Sequence, residues 1–155
     1  MQRMHFIIVT IMLWAGLAAC AAPAAAPATP PLTGDGLRIE GAWARPSIVP
    51  NGNSAIYLTI VNPTDHPDRL VAVKSPAGMA ETHESVTENN IVRMEPRPGG
   101  FEIPARSTVS LLPGGKHIML MGVAKPLAPG DAITATLVFA SMGEVTVTAP
   151  IKDEQ

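Results

Sequence analysis

Cysteine is almost absent from this sequence, because Cys20 is the only one in 155 residues. A single thiol excludes an intrachain disulfide. It also argues against an electron-transfer copper centre, since a blue-copper site needs a Cys thiolate beside two imidazoles. Cys20 is remote from the segment at residues 37–151, which we expect to form the single folded domain.

Positive charge is also scarce. Eleven Lys and Arg stand against thirteen Asp and Glu, which gives a net charge of −2 with neutral histidines. Nucleic-acid binding needs a basic surface, so nucleic acid is not an expected partner. The sequence also lacks a nucleophile elbow, a His-Glu-x-x-His helix and a glycine-rich phosphate loop. We therefore predict a binding protein and not an enzyme.

Helical periodicity is missing from the expected domain, and its apolar residues alternate instead. Ile56, Leu58 and Ile60 share one face of a strand predicted at residues 54–61. Short strands separated by glycine and proline turns indicate an all-β sandwich or barrel. The other strands are predicted at residues 69–73, 80–84, 91–94, 107–112, 132–139 and 144–149. In the last two, alternation predicts one apolar face each, formed by Ile133, Ala135, Leu137 and Phe139 and by Val145, Val147 and Ala149.

The one long apolar run lies at the N-terminus. Residues 6–17 are largely apolar and follow Arg3, a pattern typical of a secretory signal peptide and too short for a transmembrane helix. The run ends in Leu-Ala-Ala-Cys, which resembles a bacterial lipobox. We predict that residues 1–19 are removed and that Cys20 becomes a lipid-carrying N-terminus. Ordinary cleavage beside an incidental cysteine is the alternative, and either process exports the protein.

Residues 20–36 begin with an alanine- and proline-rich run that prevents a stable helix and predicts an extended tether. Acyl chains on Cys20 would bind a membrane, since each buried methylene contributes about 0.8 kcal/mol. Ala21 follows the cysteine, and in Gram-negative lipoproteins a residue other than aspartate there favours the outer membrane. We therefore expect a periplasm-facing protein anchored at the outer membrane. Residues 152–155 are predicted to be a short polar tail.

A strand entered through two glycines at residues 114–115 carries an unusual pattern of side chains. Because strand side chains alternate between faces, His117, Met119 and Met121 share one face. Thioether and imidazole ligands select Cu(I) over hard cations. This face therefore predicts a site for a soft metal ion.

His83 and Met94 supply the same ligand types upstream. Our hypothesis is that both converge with His117 and Met119 on one copper ion, with Met121 as a reserve ligand or supporting neighbour. The strand that holds His117 would reach the other two residues by the sheet curling back in a Greek key. The alternative is that these methionines fill the core and that the histidines are structural.

Five other residues also receive an interpretation. Trp43 is expected to anchor the core, and shielding of the metal site is the alternative. Met79 and Met142 are expected in core or loop packing. Glu81 and Glu84 flank His83, and either carboxylate could orient its ring. The alternative, which explains both acids equally well, is that they occupy exposed strand positions.

The spacing of the four candidate ligands resembles that of the periplasmic copper chaperones known as the PCuAC family. The family pattern is His, ten residues, Met, about twenty-one residues, then His-x-Met. Here ten residues separate His83 from Met94, and twenty-two separate Met94 from His117. One residue lies between His117 and Met119. Other segments that look like family members are residues 42–46, 55–60, 102–105 and 112–117.

The resemblance implies a cupredoxin-like Greek-key β-sandwich that binds one Cu(I) per chain. It implies a metallochaperone for assembly of the copper centres of cytochrome c oxidase, passing copper to an oxidase subunit or a Sco-type assembly protein. The one extra residue is expected in the loop at residues 96–100, which absorbs it at little cost. Glu84 and Ser85 stand where many members carry another methionine. The competing function is a membrane-anchored structural or interaction lipoprotein with no metal role.

Overall fold

A computed structural model of the chain describes residues 36–153. The predicted signal peptide, Cys20, the tether up to residue 35 and the last two residues of the predicted tail lie outside the described residues. Residues 36–153 form ten β-strands and no helix. This part of the chain accordingly holds no helix that is long and apolar enough to cross a membrane.

The strands are numbered in chain order. They are β1 (Arg38–Ala44), β2 (Gly52–Asn62), β3 (Asp68–Lys74), β4 (Met79–Glu88), β5 (Ile91–Pro96), β6 (Phe101–Ile103), β7 (Ser107–Leu111), β8 (Lys116–Val123), β9 (Ala132–Phe139) and β10 (Gly143–Pro150).

Two antiparallel sheets pack against each other. The first has the order β1-β2-β8-β4-β5, with β7 also paired to β2, and the second has the order β10-β9-β3-β6. β8 pairs with the first half of β2 and β7 with the second half, so two consecutive strands share one edge of β2. The predicted all-β sandwich is confirmed.

Apolar alternation identified the core faces of three strands correctly. Ile56, Leu58 and Ile60 on β2 are at most 2% exposed. Burial of such side chains stabilises the sandwich by about 25 cal/mol per Å² of apolar surface. The inward residues of β9 and β10 are also buried, and they are Ile133, Ala135, Leu137, Phe139, Val145, Val147 and Ala149.

Three features of the strands differ from the sequence-based expectation. β1 was not predicted, because a bulge between Glu40 and Trp43 interrupts its alternation. β6 was missed because it has only three residues. β4 continues to Glu88, so His83 lies in the middle of a strand and not at its end.

The path that brings His117 to His83 is also simpler than expected. β8 lies between β2 and β4 and pairs with both. The expectation that the sheet must curl back to unite these residues is therefore wrong, since they stand on adjacent strands of one sheet.

The turns at the far end of β2 are held by polar contacts. Asn62 is 1% exposed, and its amide donates to the carbonyls of His66 and Pro104, each at 2.9 Å. Nearby, the Arg106 guanidinium donates to both carboxylate oxygens of Asp65 at 2.7 and 2.9 Å. This hydrogen bonding lowers the pKa of Asp65 below its usual value.

Gly100 approaches β3 so closely that no side chain fits. Its φ is +67°, and a Cβ would stand 1.7 Å from the carbonyl oxygen of Leu70. We predict that Gly100→Ala lowers the free energy of unfolding by roughly 3 kcal/mol or more, because a left-handed backbone penalty of about 1–2 kcal/mol adds to overpacking. Urea unfolding measures the loss.

Gly41 provides the matched control. Its φ is +61°, and a Cβ there would meet no atom of the described residues within 4 Å. Gly41→Ala should therefore cost only the backbone penalty of about 1–2 kcal/mol. Equal losses in the two variants would contradict the steric explanation.

Candidate metal centre

The register of β4 and β8 places two histidines side by side. His83 pairs with His117, and their ring centroids lie 6.0 Å apart at an angle of 43°. Paired residues of antiparallel strands project from the same face. The two imidazoles singled out in the sequence are therefore neighbours on the outer face of the six-stranded sheet.

The His117 ring is buried and oriented by a backbone carbonyl. It is 2% exposed, and its Nδ1 lies 3.0 Å from the carbonyl oxygen of Gly115. A carbonyl can only accept, so Nδ1 carries the proton and the lone pair of the neutral ring is at Nε2. Nε2 is buried and has no hydrogen-bond partner within residues 36–153. A second donor, the Ser85 amide, reaches the same Gly115 oxygen at 3.0 Å.

His83 has a similar arrangement of its ring nitrogens. Its side chain is 13% exposed, and Nε2 lies 3.4 Å from a carboxylate oxygen of Glu81. Its Nδ1 is buried without a partner in the part of the chain that the structure describes. Of the two acids expected to orient this ring, Glu81 contacts it, whereas Glu84 accepts a 2.9 Å hydrogen bond from Arg97.

Two methionines reach the same place. Met94, His117 and Met119 line an open cavity of about 290 Å³ beside Tyr57. Met119 is half-buried, whereas Met94 is 58% exposed on β5, opposite Ser85. The structure thus gathers three of the four predicted ligands around one cavity, and the fourth, His83, contacts His117 beside it.

The other three methionines of residues 36–153 do not line this cavity. Met121 is half-buried on the same face of β8 and pairs with Met79 on β4. Met79 is 60% exposed, so the expectation that it is a packing residue is wrong. Met142 does pack against the hydrophobic core.

Tyr57 packs beside His117, and Trp43 packs on Tyr57. The Tyr57 ring centroid lies 6.3 Å from that of His117, and Trp43 lies 4.6 Å from Tyr57. Trp43 is half-buried on the outer face, so its expected place in the core is wrong. Tyr57 was not singled out from the sequence. Alternation in β2 would have placed it on the outer face, because Tyr57 stands between the inward residues Ile56 and Leu58.

The donor chemistry of this site suits a soft ion. Residues 36–153 contain no cluster of three or more His, Cys, Asp or Glu side chains able to hold a metal. The site instead offers two imidazoles and two thioethers, which favour soft ions over the hard cations that need oxygen ligands. One nitrogen of each ring is already engaged, by Gly115 in His117 and by Glu81 in His83. The other nitrogen of each ring is buried and free to bind such an ion.

Comparison with known proteins identifies relatives of this chain. The LpqE-like family model, described as a lipoprotein family, matches residues 37–151. A Leifsonia xyli subsp. xyli protein, also described as a lipoprotein, is 38% identical over 141 residues, which are 89% of this chain and 83% of that relative.

Two solved structures carry the same fold. The copper-bound PCuAC domain from PmoF2 is 31% identical with a TM-score of 0.63, and the match covers 76% of this chain and 93% of that domain. The solution structure of CuI-DR1885 from Deinococcus radiodurans is 29% identical with a TM-score of 0.57, covering 75% and 79%. These neighbours have cupredoxin-like sandwich folds, which confirms the predicted fold class. The chain therefore belongs to the LpqE-like lipoprotein family, which is the PCuAC family.

Proposed function

We propose that this protein is an exported Cu(I)-binding metallochaperone, not an enzyme, and that His83, Met94, His117 and Met119 hold its copper ion. The observation that carries this proposal is the paired histidines. Each ring has one nitrogen engaged and the other buried without a partner among the described residues. The copper-bound PmoF2 domain and CuI-DR1885 support the choice of ion.

Neutral donors suit a copper carrier outside the cytoplasm. Thioethers need no deprotonation and cannot be consumed by disulfide formation, so they bind Cu(I) in an oxidising compartment. Oxidation to methionine sulfoxide is their weakness, because it turns a soft ligand polar. A buried polar group without a partner costs about 1–3 kcal/mol, and copper coordination would remove that cost at both rings.

The exposure of the ligands indicates a direction of transfer. His117 is 2% exposed and lies against Tyr57, whereas Met94 is 58% exposed on the edge strand β5. An acceptor's ligands would reach the ion from the Met94 side and bind before Met94 leaves. We propose a copper-accepting oxidase subunit or a Sco-type assembly protein as the acceptor.

The proposed location rests on the N-terminal sequence and on membership of a lipoprotein family. Membership of a lipoprotein family supports lipidation at Cys20. We propose that the acyl chains anchor the domain on the periplasmic side of the outer membrane. The competing function, a structural lipoprotein without metal, leaves the paired histidines unexplained.

Copper titration tests the site. We expect one Cu(I) per chain when the reduced full-length protein in detergent competes with a chelator. His117→Ala and Met119→Leu should each weaken Cu(I) binding more than roughly 100-fold, because even supporting residues of metal sites contribute 10–100-fold. His66→Ala, in an exposed turn, and Met142→Leu, against the core, are matched controls that should bind as the wild type does.

Two outcomes would contradict the proposed site. One is wild-type affinity in both His117→Ala and Met119→Leu. The other is an intense visible charge-transfer band with Cu(II), which is typical of a thiolate copper protein.

Oxidase assembly tests the delivery step. In a host that carries this protein, deleting it should lower the copper content and activity of cytochrome c oxidase when copper is limiting. His66→Ala should restore both, and His83→Ala should not, because the second lacks a ligand. Unchanged oxidase loading in the deletion strain would reject the oxidase as acceptor and leave copper binding standing.

Fractionation tests the anchor. Cys20→Ser should abolish incorporation of labelled palmitate and move the protein from the membrane to the soluble envelope fraction, because the acyl attachment is lost. Met94→Leu is the control and should stay in the membrane fraction. Palmitate label retained in Cys20→Ser would contradict the proposed anchor, because the lipid would then be attached at another residue.

A further inference from the structure

The outer face of β4 and β8 carries a second pair of sulfur ligands. Met79 and Met121 are directly paired, two residues along each strand from Glu81 and Met119. Met79 is 60% exposed and Met121 is half-buried. Neither side chain belongs to the hydrophobic core, whereas Leu120 lies in it and Ala80 packs against it.

The spacing forms a row of thioethers leading to the copper site. Alternate residues of a strand are about 6.8 Å apart, so Met121, Met119 and His117 follow one another at that interval on one face. The far end of this row, at Met79, is open to solvent. A large exposed methionine beside a half-buried one gains little from packing, whereas thioether sulfur is a specific ligand for soft ions.

We propose that Met79 and Met121 form a second, weaker binding position for a soft monovalent ion, from which Cu(I) passes to Met119 and the histidine pair. The inference rests on the proposed function, because an entry position needs a stronger site to feed. Two neutral thioethers hold the ion less tightly than the four-ligand site, so this position fills second and empties toward His117. Glu81 lies between the two positions on β4, and its carboxylate attracts a cation along the row.

Methyl NMR of the methionines tests the position directly. The full-length chain in detergent, labelled at the methionine ε-methyl carbons and assigned by single Met→Leu substitutions, is titrated with Ag(I), a redox-stable soft ion. The first equivalent should shift Met94 and Met119, and the second should shift Met79 and Met121. Met142, packed against the core, should not move. Zn(II) should leave Met79 and Met121 unshifted, because it does not favour thioethers.

The variants separate this inference from the proposed function. The double variant Met79→Leu, Met121→Leu conserves side-chain volume and should lose the second equivalent while keeping the first. His117→Ala should lose the first equivalent and keep the shifts of Met79 and Met121.

Two results would overturn the second binding position. In one, the signals of Met79 and Met121 do not shift even beyond two equivalents of Ag(I). In the other, they shift together with Met94 during the first equivalent. Neither result would affect the main site. Shifts at Met79 and Met121 with none at Met94 and Met119 would overturn the proposed function instead.

Discussion

The antiparallel register between β4 and β8 is the constraint on which the site depends. It sets His83 opposite His117 and keeps both on the outer face, while Thr82 and Ile118 point into the sandwich. A slip of one residue would exchange these faces along the whole strand. It would carry an imidazole into the core and bring a buried isoleucine to the surface. The same apolar burial that stabilises the two sheets therefore selects the ligand set.

A small aromatic layer gives the outer face two different environments. Tyr57 is 4% exposed although it faces away from the main core, because Trp43 packs on it. His117 is thus enclosed on the β2 side. On the β5 side, Met94 stands open to solvent. An ion bound at this position would be shielded from water on the side of Tyr57 and Trp43. It would remain accessible from the side of Met94, so it would be both protected and able to leave.

Sequence patterns predicted the parts of this structure that depend on local alternation. The inward faces of β2, β9 and β10 and the shared face of His117, Met119 and Met121 belong to this class. Pairing between strands that are distant in sequence was harder to predict, because no local pattern shows that β8 lies between β2 and β4. Ligand type suggested the grouping of His83 and Met94 with this face, and the spacing shared with the PCuAC family supported it, whereas alternation could not.

The errors have physical causes in particular residues. The bulge before Trp43 hid β1 and turned that indole outward, where hydrophobicity alone would have buried it. Methionine occurs both in hydrophobic cores and at sites for soft metal ions, so the sequence did not reveal that Met79 is exposed. The contact of Tyr57 with His117 needed the pairing of β2 with β8.

The carbonyl of Gly115 has one more consequence. It accepts from the His117 ring and from the Ser85 amide at the same time, so the imidazole is tied to the place where β4 joins the start of β8. Turning the ring would disturb a backbone hydrogen bond between those strands. Fraying of that strand end would in turn release the ring from its fixed orientation. Solvent protection of the Ser85 amide on β4 is thus linked to the orientation of the His117 side chain on the adjacent strand β8.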